Sequence, residues 1–203
     1  MSSLEEIGAE IAACTACSLA KSRLKTVPGE GPSNAKIVFI GEAPGWHENQ
    51  QGRPFVGPAG QFLEELLASV GLTRRDVFIA NVVKCRPPNN RDPQPEEITA
   101  CAHFLDAQLA VIKPKIVVAL GRYSMARFFP GEAIGKIHGV ARKRGGVVYF
   151  AMYHPAAALH QPTLKQVILA DMQKLPKLLA EAGSLPDEKP SEPPEKPEQL
   201  SLF

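Results

Sequence analysis

The sequence has no apolar run approaching the roughly 20 residues that a membrane-spanning helix needs. Its first residues, Met1 to Leu4 followed by Glu5 and Glu6, offer neither a basic n-region nor an apolar h-region. A soluble, cytoplasmic protein with no membrane partner is therefore expected. Neither GxGxxG nor GxxxxGK(S/T) occurs, which excludes a dinucleotide fingerprint and a P-loop. No internal repeat is present. Cysteine is scarce, with four in 203 residues, and in an intracellular chain so few favour metal over disulfides.

What is present suits one large domain able to bury a core without covalent staples. Hydrophobic content of 44% and charge of 22% are ordinary for a globular protein. The net charge of +2 hides an asymmetry: after Ser184 five acids face two lysines, so that segment carries −3 and the body +5. A modest basic excess on a folded body fits contact with phosphates.

Leu4 to Ala13 has helical spacing, and Ala59 to Val70 is a stronger helix with Phe62, Leu63, Leu66, Leu67 and Val70 on one face. Pro95 to Ile112 reads as a helix with proline in its first turn. Thr163 to Ala180 reads as a last helix that Pro176 should bend or end. Between them lie four short apolar, β-branched runs, Lys36 to Ile40, Val77 to Val83, Ile116 to Leu120 and Val147 to Met152. Strands alternating with helices predict an α/β fold: a three-layer α/β/α single domain around a central, mostly parallel four-stranded sheet. Ligands of such sheets bind at the carboxyl edge, where the loops Gly41 to Gly57, Asn81 to Arg91 and His154 to Gln161 fall. The domain is expected over residues 1–183, followed at 184–203 by a disordered, acidic, proline-rich tail.

Cys14 and Cys17 form a CxxC pair, and Cys85 and Cys101 lie downstream with fifteen residues between them. Together they could complete a four-thiolate set for an iron–sulfur cluster or a structural zinc; spacing leaves both open. Around Gly41 to Gly60, glycine and proline fix a rigid loop that lets backbone approach a ligand closely. That loop also carries Glu42, Glu48 and Phe55.

"GEAPG", "GRPFVGPAG", "NVVKCRPPNNRDP", "ALG" and "YHP" follow one another in this order. With "CTAC" near the N-terminus, they resemble the family 4 uracil-DNA glycosylases over about residues 10 to 175. The resemblance implies that Cys14, Cys17, Cys85 and Cys101 ligate a 4Fe-4S cluster. It further implies cleavage of the N–C1′ bond of deoxyuridine after the nucleotide is flipped out of single- or double-stranded DNA. Catalysis should then be mainly electrostatic. His154 matches the histidine that donates to uracil O2, and Asn81 the asparagine that donates to O4 and accepts from N3–H. Phe55 would stack on the flipped base, and Glu48 would crowd C5 and exclude the thymine methyl. Glu42 is the candidate for positioning water or stabilising the sugar cation. Leu159, in "HPAAALHQP", resembles the wedge that fills the gap in the helix. The chain departs from the pattern in places. Ala43 stands where the best-known uracil glycosylases carry aspartate, Trp46 and His47 where acids are common, and His160 where a basic residue is frequent.

Lys136, His138, Arg142, Lys143 and Arg144 form a basic cluster that could grip phosphates or stand on a solvated hairpin or loop. Gln199, Leu200, Leu202 and Phe203 are similar to the peptide by which bacterial proteins bind the sliding clamp, which implies a bacterial, nucleoid-associated enzyme, expected to be monomeric. Two alternatives stand beside hydrolysis. One is a non-turnover protein that holds uracil-DNA covalently or tightly, although "KCRPPNNRDP" lacks the histidine of the covalent type. The other is a zinc-dependent structural DNA-binding protein.

Overall fold

In the computed structural model, residues 3–188 are described. The sheet is built from β1 (Ile37–Gly41), β2 (Phe78–Asn81), β3 (Ile116–Leu120), β4 (Ala141–Arg144) and β5 (Val147–Met152). Its order is β2-β1-β3-β5-β4, with every pairing parallel except β4 on β5. Strands β1, β2 and β3 are buried at every position, as expected of parallel strands covered on both faces.

Alternating side chains divide two cores. Val38, Ile40, Val117 and Ala119 face one layer with α1 (Leu4–Ala13) and α4 (Pro95–Ile112). Ile37, Phe39, Val118 and Phe150 face the other, with α3 (Pro58–Ser69) and α8 (Leu164–Met172). Pro58 stands in the first turn of α3 and Pro95 in that of α4, where a missing N–H costs nothing. The outer edge of β2 is not left bare: Glu30 pairs with Ile79 through bonds of 2.9 and 2.8 Å.

The fifth strand corrects the expected four. Ala141–Arg144 and Val147–Met152 make a hairpin whose Gly145-Gly146 turn has φ of 57° and 80°. Two central residues with positive φ suit the right-handed twist of the strands, and glycine takes them without strain. The last helical stretch breaks at Gln173 and Lys174, and Pro176 opens α9 (Leu175–Glu181). Shorter helices the pattern did not predict are α2 (Trp46–Gln51), α5 (Gly121–Phe128), α6 (Ile134–Ile137) and α7 (Pro155–His160). The first residues of the expected tail are ordered against β4, with Glu188 N–H bonding to the Lys143 carbonyl at 2.7 Å. The rest of that tail and the peptide Gln199–Phe203 lie outside the described residues. Among the described residues no helix is long and apolar enough to cross a membrane.

Candidate active site

The chain passes from β1 to β2 on one side and later crosses to β3 on the other, so the strand order reverses at β1. Ligand clefts form at such points, outside the carboxyl ends of the strands. Here the ends of β1, β2, β3 and β5 open onto a cleft of about 640 Å³. Glu42, Glu48, Phe55, Asn81 and His154 all line it. Leu159 does not; it stands on α7 beside the cleft residue His160, 51% exposed.

Asn81 ends β2, level with Gly41 on β1. Its side chain is buried, and its Oδ1 has no hydrogen-bond partner. Leaving such an acceptor unsatisfied costs about 1–3 kcal/mol. A Cβ at residue 41 would come within 2.4 Å of this oxygen and 2.7 Å of the Phe55 ring, so glycine is what lets the three meet.

Phe55 is held in the left-handed region, φ 52°, although it is neither glycine nor asparagine. Two contacts hold it there. Arg74 donates to the carbonyl oxygens of Phe55 (2.9 Å) and Pro54 (2.6 Å). Gly60 packs so closely that a Cβ on it would lie 1.8 Å from the Phe55 oxygen. The Phe55 and His154 rings stack with centroids 5.3 Å apart and planes 26° from parallel.

His154 caps α7, its Nδ1 accepting from the Ala156 N–H at 3.1 Å. Burial pushes the imidazole down to about 4, against the opposing charge of Glu48. The ring is therefore neutral at pH 7, and with Nδ1 as acceptor its proton sits on Nε2. Glu48 uses both oxygens to bind backbone: Val56 and Gly57 N–H at 2.8 and 2.9 Å on one, Gly45 N–H at 3.1 Å on the other. It thus pins the Gly52 to Gly57 loop to the start of α2.

Glu42 is half-buried. Burial, then the negative charge of Asp92, push its carboxyl up to about 7, while Arg122 pulls the other way. Asp92 and Arg122 pair with each other and line the cleft with Asn90 and Arg91. The sequence reading missed these four as site residues. Their signal was position: Asn90 to Asp92 lie in or next to the loop after β2, and Arg122 stands two residues past the carboxyl end of β3. Arg74, by contrast, has no sequence signal, being remote from every motif. Of the basic cluster, Arg142, Lys143 and Arg144 stand on the β4–β5 hairpin and are engaged within the fold. Arg142 pairs with Glu132 at 2.8 Å and Glu188 at 3.3 Å. Lys143 bonds the Gly183 and Leu185 carbonyls, and Arg144 the Phe128 carbonyl.

A second, narrow cavity is lined by all four cysteines. Cys14 caps the end of α1, Cys17 opens a 3₁₀ turn, Cys85 follows β2 and Cys101 lies in α4. Arg23 donates to Cys85 Sγ at 3.4 Å and the Lys84 N–H to Cys101 Sγ at 3.3 Å. Burial pushes the Cys101 thiol up to about 11 and that of Cys85 in the same direction, so a metal centre would have to displace their protons. Among the described residues no three histidine, cysteine or acidic side chains converge on one point as a single ion requires.

Residues 28–174, which contain every residue named in the cleft, match the model of the uracil DNA glycosylase superfamily. The chain belongs to that superfamily. A type-4 uracil-DNA glycosylase of Sulfurisphaera tokodaii is 47% identical over 188 residues, covering 88% of this chain and 86% of the relative. Those of Archaeoglobus fulgidus and Thermotoga maritima are 46% and 43% identical, covering 88% and 89% of this chain and 94% and 96% of theirs. Glu42, Glu48, Phe55, Asn81 and His154 thus share one cleft within the matched span.

Proposed function

We propose that this protein hydrolyses the N-glycosidic bond of deoxyuridine in DNA, starting base excision repair. One observation carries the reading: the buried, unpartnered Oδ1 of Asn81 facing a cleft that Phe55 and His154 also line. Uracil supplies the missing donor through N3–H, and the same amide's NH₂ meets O4. Cytosine presents both groups inverted, so binding it would leave two buried polar pairs mismatched.

With the base between these groups, the neutral His154 aims Nε2–H at O2, where negative charge gathers as the glycosidic bond breaks. A donor already in place needs no reorganisation, which is why it favours the transition state over the ground state. Phe55 fixes the base plane. Glu48 holds the loop wall that closes against C5. Glu42, ionised, orients water toward C1′ and offsets the positive charge of the oxocarbenium-like sugar. Ala43 contributes no carboxylate; of the acids of the cleft, Glu48 is taken up by backbone N–H groups and Asp92 by Arg122, which leaves Glu42 for this role. Leu159, exposed beside it, enters the space vacated by the flipped nucleotide.

The four cysteines fit a 4Fe-4S cluster. They surround one cavity, two of them accept N–H bonds, and a cluster takes four thiolates of this kind. When bound, the cluster supplies cross-linking between the N-terminal segment and the β2–α4 region. The enzyme is read as a cytoplasmic, nucleoid-associated monomer over 1–183, whose tail offers Gln199, Leu200, Leu202 and Phe203 to a sliding clamp. Loss of clamp binding on deleting residues 199–203 would support that role.

The test is a labelled oligonucleotide with one uracil, incubated with cluster-loaded protein and then treated with alkali, alongside cytosine and thymine controls. Repeated turnover at uracil alone is expected. A shifted, alkali-stable species would mean capture without release, and no reaction would leave only membership of the superfamily.

A further inference from the structure

Lys84 is 1% exposed, among the most deeply buried side chains of the molecule. Its Nζ donates to the main-chain carbonyl of Asn81 at 3.0 Å and to Gln108 Oε1 at 2.7 Å. Both partners are neutral oxygens. An ammonium taken out of water normally needs an anion, because neutral acceptors do not replace its hydration. On the cluster reading the anionic groups at hand are the thiolates: the main-chain N–H of Lys84 donates to Cys101 Sγ at 3.3 Å, and Lys84 lines the cavity that the four cysteines share. Gln108 is itself fixed, its Nε2 donating to the Pro28 carbonyl at 2.7 Å. It also lies two helical turns along α4 from Cys101.

Resting on the uracil and cluster readings above, we propose that Lys84 is a positioning residue that couples the cysteine centre to the uracil pocket. It acts as counter-charge to the thiolates and at the same time holds the Asn81 main chain, which aims the Asn81 amide at the base. The span is short. Only Val82 and Val83 separate the residue reading uracil from the lysine, and Cys85 follows it. No clamp of this kind is needed for the fold alone, since a methionine of similar length would fill the same space without burying a charge.

The experiment compares wild type, Lys84→Met, Gln108→Leu, Gln108→Glu and Asn81→Ala as full-length, cluster-loaded proteins. Three quantities are read: inhibition by free uracil, affinity for DNA bearing an abasic-site analogue, and the midpoint potential of the cluster. In Lys84→Met, uracil inhibition should weaken about tenfold, abasic-DNA affinity stay within about twofold, and the midpoint potential become more negative as a nearby cation is lost. Gln108→Leu should weaken uracil inhibition in the same direction, while Gln108→Glu, which still accepts from the ammonium, should retain it. Uracil inhibition and midpoint potential both unchanged in Lys84→Met would overturn the coupling. If Lys84→Met does not load a cluster, unchanged uracil inhibition in Gln108→Leu overturns it instead. Asn81→Ala separates the two levels: if it too leaves uracil inhibition unchanged, the reading of the pocket fails first.

Discussion

The acid limb of the pH profile tests the electrostatics of the cleft most directly. Glu42 is raised to about 7 by burial and by Asp92, while His154 is lowered to about 4 by burial. The mechanism needs the first ionised and the second neutral. Between pH 5 and 9 His154 does not change state, so Glu42 alone should shape kcat/KM, which reports the free enzyme. Each unit below 7 removes about tenfold of the carboxylate, so kcat/KM at pH 5 should be about 1% of its alkaline plateau. Glu42→Gln should lower the plateau on the order of 100-fold and abolish the inflection. The sign is informative. If a protonated histidine were the donor, activity would rise as pH falls. The limb is also separable from unfolding. The raised carboxyl makes Glu42 favour the folded state as pH falls from 7 toward 4.5, whereas the lowered imidazole makes His154 oppose it as pH falls from 6.5 toward 4. Melting curves at pH 7 and 5.5 should therefore differ little while activity changes more than tenfold. A profile flat from pH 5 to 8, or an inflection that survives in Glu42→Gln, would refute the assignment.

Asn81→Ala should reduce kcat/KM on uracil-DNA by about tenfold or more yet leave the melting temperature unchanged or higher, because it removes a buried acceptor that has no partner in the free protein. Calorimetry beside the cleavage assay checks both halves. Glu97 is 2% exposed and held down to about 2 by Arg91, with Gln94 N–H and Ser18 adding bonds. Glu97→Ala should cost roughly 2–4 kcal/mol in a denaturant titration. Its wild-type contribution should be lost as pH falls from about 4.5 through 2, where the folded carboxylate takes up its proton. Arg74→Ala should raise the inhibition constant for uracil more than it changes DNA affinity, since Arg74 grips the Phe55 and Pro54 carbonyls and does not line the cleft. On the proposed cluster reading, removing iron by oxidation and chelation should lower the melting temperature and weaken uracil inhibition together; loss of stability alone would mean the two cavities are independent.

The layers and the parallel core were legible because hydrophobic period reports burial. Val38 to Ile40 and Ile116 to Leu120 are unbroken apolar runs, and only strands covered on both faces are written so. β4 was not legible, since Arg142, Lys143 and Arg144 have the composition of a solvated loop. What makes them a strand is the glycine pair turning them back onto β5, with Arg142 meeting Glu132 and Glu188, Lys143 reaching Asp187, and Arg144 bonding the Phe128 carbonyl. The residues of the cleft were legible where a motif fixed them. Arg91, Asp92 and Arg122 were not, because their role depends on two loops meeting across the sheet edge. Arg74 acts through its guanidinium on backbone oxygens, a contact that carries no side-chain signature at either end. The raised carboxyl of Glu42 comes first from burial and then from Asp92, fifty positions away.

The cleft stores unfavourable conformation at Phe55 and Asn81, the residues proposed to meet the base. Phe55 sits in a region that costs a residue with a Cβ about 1–2 kcal/mol, and Asn81 Oδ1 forgoes a bond worth a similar amount. Neither persists on its own account. Arg74 grips the Phe55 and Pro54 carbonyls, Gly60 admits the Phe55 oxygen close to its backbone, and Gly41 leaves room for Asn81 and the Phe55 ring to converge. A pocket built in this way has already lost its freedom before the substrate arrives, so a flipped uracil need not order it. The favourable terms released on binding, one satisfied amide and one stacked ring, can then offset the unstacking of the nucleotide from DNA, which costs a few kcal/mol. Selectivity follows from the same arrangement. A base that cannot supply N3–H leaves Asn81 as unsatisfied as it was, gains too little to offset unstacking, and returns to the helix.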